Sequence, residues 1–123
     1  MQIRIYYEDT DAGGIVYHTN YIKYCERARS EIFFSKGLHP FEGERSGFVV
    51  HTIHADFLAT SKLGDLVEVK TNVIKISRSS VMLLQEIFKE DVKIFSMKVT
   101  LVYLAEGKPA RIPTLFKEIF QKI

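Results

Sequence analysis

Fifteen consecutive residues, Tyr7 to Tyr21, hold three carboxylates (Glu8, Asp9, Asp11), two adjacent glycines (Gly13, Gly14), a histidine (His18) and three tyrosines (Tyr7, Tyr17, Tyr21). No other stretch of the chain is as dense in groups that move protons or attack carbonyls. It lies between a strand-like opening segment and the start of a helical pattern, where backbone N–H groups lack intrahelical acceptors and favour negative charge. An oxyanion can be held there. If the glycine pair lets the backbone turn tightly, the Asp11 carboxylate comes near the carbonyl carbon of a substrate whose oxygen faces the N–H groups around His18. Asp11 then serves as nucleophile or general base. His18 carries an imidazole that can orient water or share a proton, with Tyr7 as a further hydroxyl donor. The same residue types also build a plain turn whose acids offset the positive end of a helix. Glu8 and Asp9 in particular read as solvated or turn-stabilising groups.

The elements that must position this loop follow from periodicity. Met1 to Tyr7 alternates, with Ile3 and Ile5 on one side, and reads as a strand. From Asn20 the apolar residues Tyr21, Tyr24, Cys25, Ala28 and Ile32 recur at steps of three and four, which predicts an amphipathic helix of about five turns. Asn20 suits its N-cap, and Gly37 a left-handed stop. A surface loop, His39 to Ser46, precedes a run of strand patterns. Val49, Ile53, Ala55 and Phe57 are expected to share one face of Gly47 to Leu58, and Val67, Val69 and Val73 one face of Asp65 to Ile76. Val81 to Phe88 follows, and then a long strand whose Phe95, Met97, Val99, Leu101 and Tyr103 point one way. The tail, Pro113 to Ile123, places Leu115, Phe116, Ile119, Phe120 and Ile123 on one side of a short helix. The expectation is a single α+β domain over residues 1–123: a five-stranded antiparallel sheet around one long helix, with a short C-terminal helix. Its exposed edges invite self-association.

Composition excludes several function classes. Seventeen basic and fifteen acidic residues, a formal charge of +2, are scattered without a basic stripe, which argues against nucleic acid as a partner. One cysteine, Cys25, rules out an internal disulfide; with no charged-then-apolar leader visible, a cytoplasmic setting is expected. The apolar runs fall far short of the roughly 20 residues of a membrane span. Cys25 shares the apolar stripe of the helix and reads as buried. His51 and His54, three apart on a strand, emerge on opposite faces and do not converge on a metal. There is no G-x-S-x-G elbow and no phosphate-binding P-loop. Glu26, Arg27 and Arg29 read as scaffold or interface residues of the helix.

The run Tyr6-Tyr7-Glu8-Asp9-Thr10-Asp11-Ala12-Gly13-Gly14-Ile15-Val16-Tyr17-His18, continuing through Asn20-Tyr21 to Glu26-Arg27-Ala28-Arg29-Ser30-Glu31, closely resembles the YbgC-type acyl-CoA thioesterases, which belong with the 4-hydroxybenzoyl-CoA thioesterases in the hotdog fold. The resemblance implies a central helix wrapped by a curved antiparallel sheet, dimers paired edge to edge and commonly assembled into tetramers, and active sites at the dimer interface. It implies hydrolysis of an acyl-CoA to free acid and coenzyme A, with no metal or other cofactor. By position, the catalytic aspartate falls on Asp11, the histidine of this subgroup and the carbonyl-polarising backbone N–H on His18, and a supporting role on Tyr7. Gly14, Asn20 and Tyr21 belong to the same substrate-binding stretch. Arg78, Ser79 and Ser80 sit at a turn where the family tends to contact the phosphates or pantetheine of coenzyme A, although a solvated hairpin fits them as well. Thr19 stands where relatives often have a small apolar residue. The rival implication is a partner of acyl carrier protein or of a Tol-Pal-associated envelope complex with little turnover. A hotdog hydratase would need a different histidine motif, which is absent.

Overall fold

In a computed structural model that describes residues 1–123, the chain runs through β1 (Gln2–Arg4), a 3-10 turn (Tyr7–Asp9), α1 (Thr19–Phe34), β2 (Phe41–Glu42), β3 (Ser46–Phe57), β4 (Leu66–Ile76), β5 (Ser80–Lys89), β6 (Val92–Ala105), β7 (Lys108–Pro109) and α2 (Thr114–Gln121). All pairings are antiparallel, in the order β1-β4-β5-β6-β3-β2, with β7 on β6. The five expected strands form the body of the sheet, and β2 and β7 add two residues each. None of the helices is long and apolar enough to cross a membrane.

The long strand β6 behaves as its alternation dictates: Phe95, Met97, Val99, Leu101 and Tyr103 are all buried against α1. Leu83, Gln85 and Ile87 of β5 lie across from Val99, Met97 and Phe95 on the same face. Helix α1 turns Tyr21, Tyr24, Cys25, Ala28 and Phe33 onto that floor, and Ile32 packs at its margin. Aromatic rings mark both ends of the helix. Tyr21 stacks on Phe95 beside Phe57 at the N-terminal end, while Phe33, Phe48, Tyr103, Phe116 and Phe120 cluster at the C-terminal end. Gly37, at φ +71°, ends the helix as expected. The N–H groups of Gly37 and Leu38 return to the carbonyls of Phe34 and Phe33, the paired bonds of a Schellman motif.

Four sequence expectations change. The N-cap is His18 rather than Asn20, because the helix begins two residues earlier and the Asn20 amide is used elsewhere. The first strand is cut to three residues by the 3-10 turn, although Ile3 and Ile5 still enter the core. On β3 the inward row is Phe48, Val50, Ile53, Ala55 and Phe57, opposite the buried row of β6. Val49 lies on the other face, because the register slips at His51, an extra residue between Val50 and Thr52. On α2, Phe116, Ile119 and Phe120 are buried, but Leu115 is 53% exposed and Ile123 lies beyond the helix at the surface.

One edge of β3 stays open. β2 pairs with Ser46 and Gly47, and the Phe48 N–H donates to the Pro40 carbonyl at 2.8 Å, which leaves Val49 to Phe57 with β6 on one side and no strand on the other.

Candidate active site

The loop between β1 and α1 is held from both ends. Asp9 is the first anchor: its carboxylate, buried to 8% exposure, accepts the Tyr6 N–H at 2.8 Å. Its carbonyl accepts the Tyr17 N–H at 2.9 Å and the Asn20 side-chain amide at 2.8 Å. Asp9 is therefore turn-stabilising, as its residue type suggests, but buried rather than solvated. The second anchor is the buried Val16, whose N–H donates to Ser61 at 2.9 Å, while Ser61 and Tyr21 share a buried hydroxyl pair at 2.8 Å. Ile15 bridges to Lys62 and Thr10 to Val16, so the segment from Asp11 to Gly14 is a short pinched turn.

Asp11 sits at the tip. Its N–H donates to the Ile15 carbonyl at 2.8 Å, its carbonyl accepts the Gly14 N–H at 3.0 Å, and its Oδ1 accepts the Gly13 N–H at 2.8 Å. The glycine pair has two different jobs. Gly14 adopts φ +84°, whereas a Cβ on Gly13 would stand 3.2 Å from Asp11 Oδ1. The carboxylate is exposed to solvent, with its second oxygen free to act on a substrate or water.

His18 follows seven residues later as the first turn of α1 forms. Its ring is exposed, tilted against Tyr17 at 4.7 Å and edge-on to Phe57 at 5.8 Å. The backbone N–H groups of His18 and Thr19 have no intramolecular acceptor, and no side chain caps the helix. They form an unfilled donor pair at the positive end of a 16-residue helix.

The other expected site residues divide. Gly14 and Asn20 shape the loop and do not reach outward. Tyr21 is 3% exposed with its hydroxyl committed to Ser61, so it forms the floor of the site. Tyr7 is 82% exposed and its hydroxyl makes no hydrogen bond; only its carbonyl is used, by Thr10. Arg78, Ser79 and Ser80 lie at the opposite end of the sheet. Ser80 pairs with Val102 of β6 and Phe57 with Phe95, seven residues apart, or roughly 24 Å along the strand. There Arg78 joins Arg111, Lys117, Ser77 and Thr114 in a cleft of about 410 Å³ that has no carboxylate in its lining. Sequence reasoning missed Ser61 as a loop anchor, and Arg111 and Lys117 as companions of Arg78. Only contacts across the fold reveal them.

Other candidate groups stand apart from this site. Cys25 is fully buried and burial pushes its thiol up to about 12, so it is no nucleophile at neutral pH. His51 and His54 are exposed on β3, and no three His, Cys, Asp or Glu side chains gather as a metal-binding group.

The thioesterase superfamily profile matches residues 13–95, more than half of the sequence. The chain belongs to that family. It is 42% identical, over the whole of both chains, to a Helicobacter pylori protein named acyl-CoA thioesterase YbgC. It is 33% identical to the Haemophilus influenzae protein of the same name, covering 98% of this chain and 93% of that one. Among solved structures, a probable thioesterase from Bartonella henselae superposes with a TM-score of 0.82 at 31% identity, covering 92% of this chain and 97% of the other. A hypothetical protein from Aquifex aeolicus does so at 0.87 and 28%, covering 98% and 97%. The five-stranded sheet around a long helix is thus the hotdog architecture that the motif implied.

Proposed function

We propose that the protein hydrolyses acyl-CoA thioesters to free acid and coenzyme A at the loop between β1 and α1. The observation that carries this reading is the pairing of an exposed carboxylate, fixed by the Gly13 N–H, with the unfilled N–H groups of His18 and Thr19 on one short segment. The thioester oxygen rests on those N–H groups, whose dipoles are already oriented for the oxyanion. Asp11 either adds to the carbonyl carbon itself or takes a proton from the water that adds. Collapse of the adduct expels the coenzyme A thiolate, which is then protonated, and in the first route water cleaves the acyl-aspartate. The His18 imidazole, held edge-on by Phe57, is placed to orient the water or return the proton. The high identity to proteins named acyl-CoA thioesterases supports the choice of substrate.

A second copy completes the site in this reading. Antiparallel pairing of two open β3 edges about a two-fold axis brings the Phe57 end of one chain beside the Gly47 end of the other. The catalytic loop then faces its neighbour's Arg78, Arg111 and Lys117, a lining suited to the coenzyme A phosphates. Nothing in the site favours a carrier-protein or envelope partner over catalysis.

Asp11→Asn tests the proposal, with thiol release from an acyl-CoA panel followed by a chromogenic reagent. Asparagine keeps the acceptor for the Gly13 N–H, so the fold should persist while kcat falls at least about a hundredfold. A folded Asp11→Asn protein as fast as the unmodified one would falsify the assignment.

A further inference from the structure

Asn20 has a side chain that the hydrolytic scheme leaves unused. Asparagine at the start of a helix ordinarily caps it by accepting a backbone N–H, but here the helix has already begun at Thr19 and the side chain works as a donor. Its amide turns back across the loop to the Asp9 carbonyl at 2.8 Å. The same oxygen accepts the Tyr17 N–H at 2.9 Å. Both lone pairs of one carbonyl are therefore filled from the far side of the loop.

His18 and Thr19 are the two residues between those donors, and theirs are the N–H groups left without an acceptor. The Asn20 N–H, by contrast, is taken by the Tyr17 carbonyl at 2.9 Å and the Tyr21 N–H by the His18 carbonyl at 3.3 Å. The free donor pair is thus bracketed by two bonds to a single atom. On the other arm of the loop, Asp11 follows Asp9 by two residues, with its carboxylate fixed by the Gly13 N–H. Asp9 itself is anchored, since it is buried and its own carboxylate accepts the Tyr6 N–H. Its carbonyl is the pivot between the two arms. The Tyr17 bond alone would let the first turn of α1 swing about that pivot, and the Asn20 bond removes the rotation.

We infer that Asn20 is a positioning residue for the reaction: its amide, by holding the first turn of α1 on the Asp9 carbonyl, sets the His18 and Thr19 N–H pair against the Asp11 carboxylate. The inference rests on the thioesterase reading and adds to it a group that touches neither substrate nor reacting atoms. The two arms must meet on one substrate carbonyl, the N–H pair at its oxygen and the carboxylate or its water at the carbon. Dipoles stabilise an oxyanion best when aimed in advance, so a swing of the helix end is felt in the transition state more than in substrate binding.

Two substitutions test this. Asn20→Ala removes the donor. Asn20→Asp keeps the shape of the side chain and places an anion at the positive end of α1, where it suits the helix, but it has nothing to donate. The Asp9 carbonyl keeps its Tyr17 partner in both, so both should fold. The expected result is a kcat for thiol release from acyl-CoA lower by about ten- to a hundredfold in each variant, with KM within about threefold of the unmodified protein. Unchanged kcat in Asn20→Ala, well below its unfolding transition, would overturn the inference and leave the thioesterase reading standing. A raised KM at unchanged kcat would make Asn20 a substrate contact and overturn it likewise. Hydrogen exchange asks the question without turnover. In Asn20→Ala the Tyr17 N–H should exchange at least about tenfold faster, while the Val16 N–H, tied to Ser61, keeps its protection. Unchanged exchange at Tyr17, or equal loss at both, would overturn the inference even in a protein that hydrolysed no acyl-CoA, an outcome that would separately end the thioesterase reading.

Discussion

The two adjacent glycines of the proposed catalytic loop should separate stability from activity. Gly14→Ala places a side chain at φ +84°, where no heavy atom lies within 4 Å, so the only cost is backbone strain of about 1–2 kcal/mol. For a domain of this size that lowers Tm by several degrees, with kcat/KM little changed well below the transition. Gly13→Ala reverses the pattern. The residue has no positive φ, and alanine there restricts the unfolded chain, so stability should change by less than about 1 kcal/mol. Its Cβ, however, would stand 3.2 Å from Asp11 Oδ1 and must displace the carboxylate by a few tenths of an ångström. A misplacement of about 1 Å costs about a hundredfold in a positioned reaction, so kcat should fall by about five- to fiftyfold. Thermal unfolding and steady-state thiol release on the same preparations provide the measurement. Full activity in Gly13→Ala, or a catalytic defect confined to Gly14→Ala, would refute the claim that Gly13 sets the position of Asp11.

Two buried tyrosines should respond oppositely to loss of their hydroxyls. Tyr21→Phe strands the Ser61 N–H and hydroxyl in the interior and should cost about 1–3 kcal/mol in denaturant titration, whereas the Tyr24 hydroxyl has no hydrogen-bond partner and Tyr24→Phe should be neutral or stabilising. Burial, and then the nearby Asp9 carboxylate, push the Tyr24 ionisation up. Cys25 gives a pH signature. Its folded pKa, raised from 9.0 to about 12 by burial, means that the neutral thiol supports folding fully below about pH 9, and that this support is lost progressively as pH rises toward 12. Stability measured across that window should decline less steeply in Cys25→Ala, and the native thiol should resist alkylating reagents at neutral pH.

Much of the architecture was legible because local pattern and burial agree. The alternation of β6 and the three-and-four spacing of α1 point their apolar residues where they belong, and the reactive groups of the candidate loop are concentrated in contiguous residues. What was hidden depends on partners distant in sequence. Asn20 looks like a helix cap until the Asp9 carbonyl is seen to claim its amide. Tyr21 looks available until Ser61, forty residues on, takes its hydroxyl. Arg29 looks like an ordinary helix-surface cation, since no local rule shows that its side chain crosses the core to Gln85. Arg78 has few near neighbours in sequence to recommend it, and its companions Arg111 and Lys117 arrive only when the C-terminal segment folds back, with Ile112 donating to the Arg78 carbonyl at 2.9 Å.

The extra residue at His51 makes the length of β3 a matter of parity. Side chains before it and after it reach the helix on opposite counts, odd positions from Ile53 onward and even positions up to Val50. Removing His51 would cancel the slip. One half of the strand would then have to turn its apolar row outward, or the ladder with β6 would have to re-form a bulge elsewhere. Point substitutions at His51 should therefore be tolerated over a wide chemical range, while insertions and deletions there should not. In a lineage of such proteins, drift in this strand would appear as changes of letter at constant count, and changes of count would collect in the surface loop that precedes it.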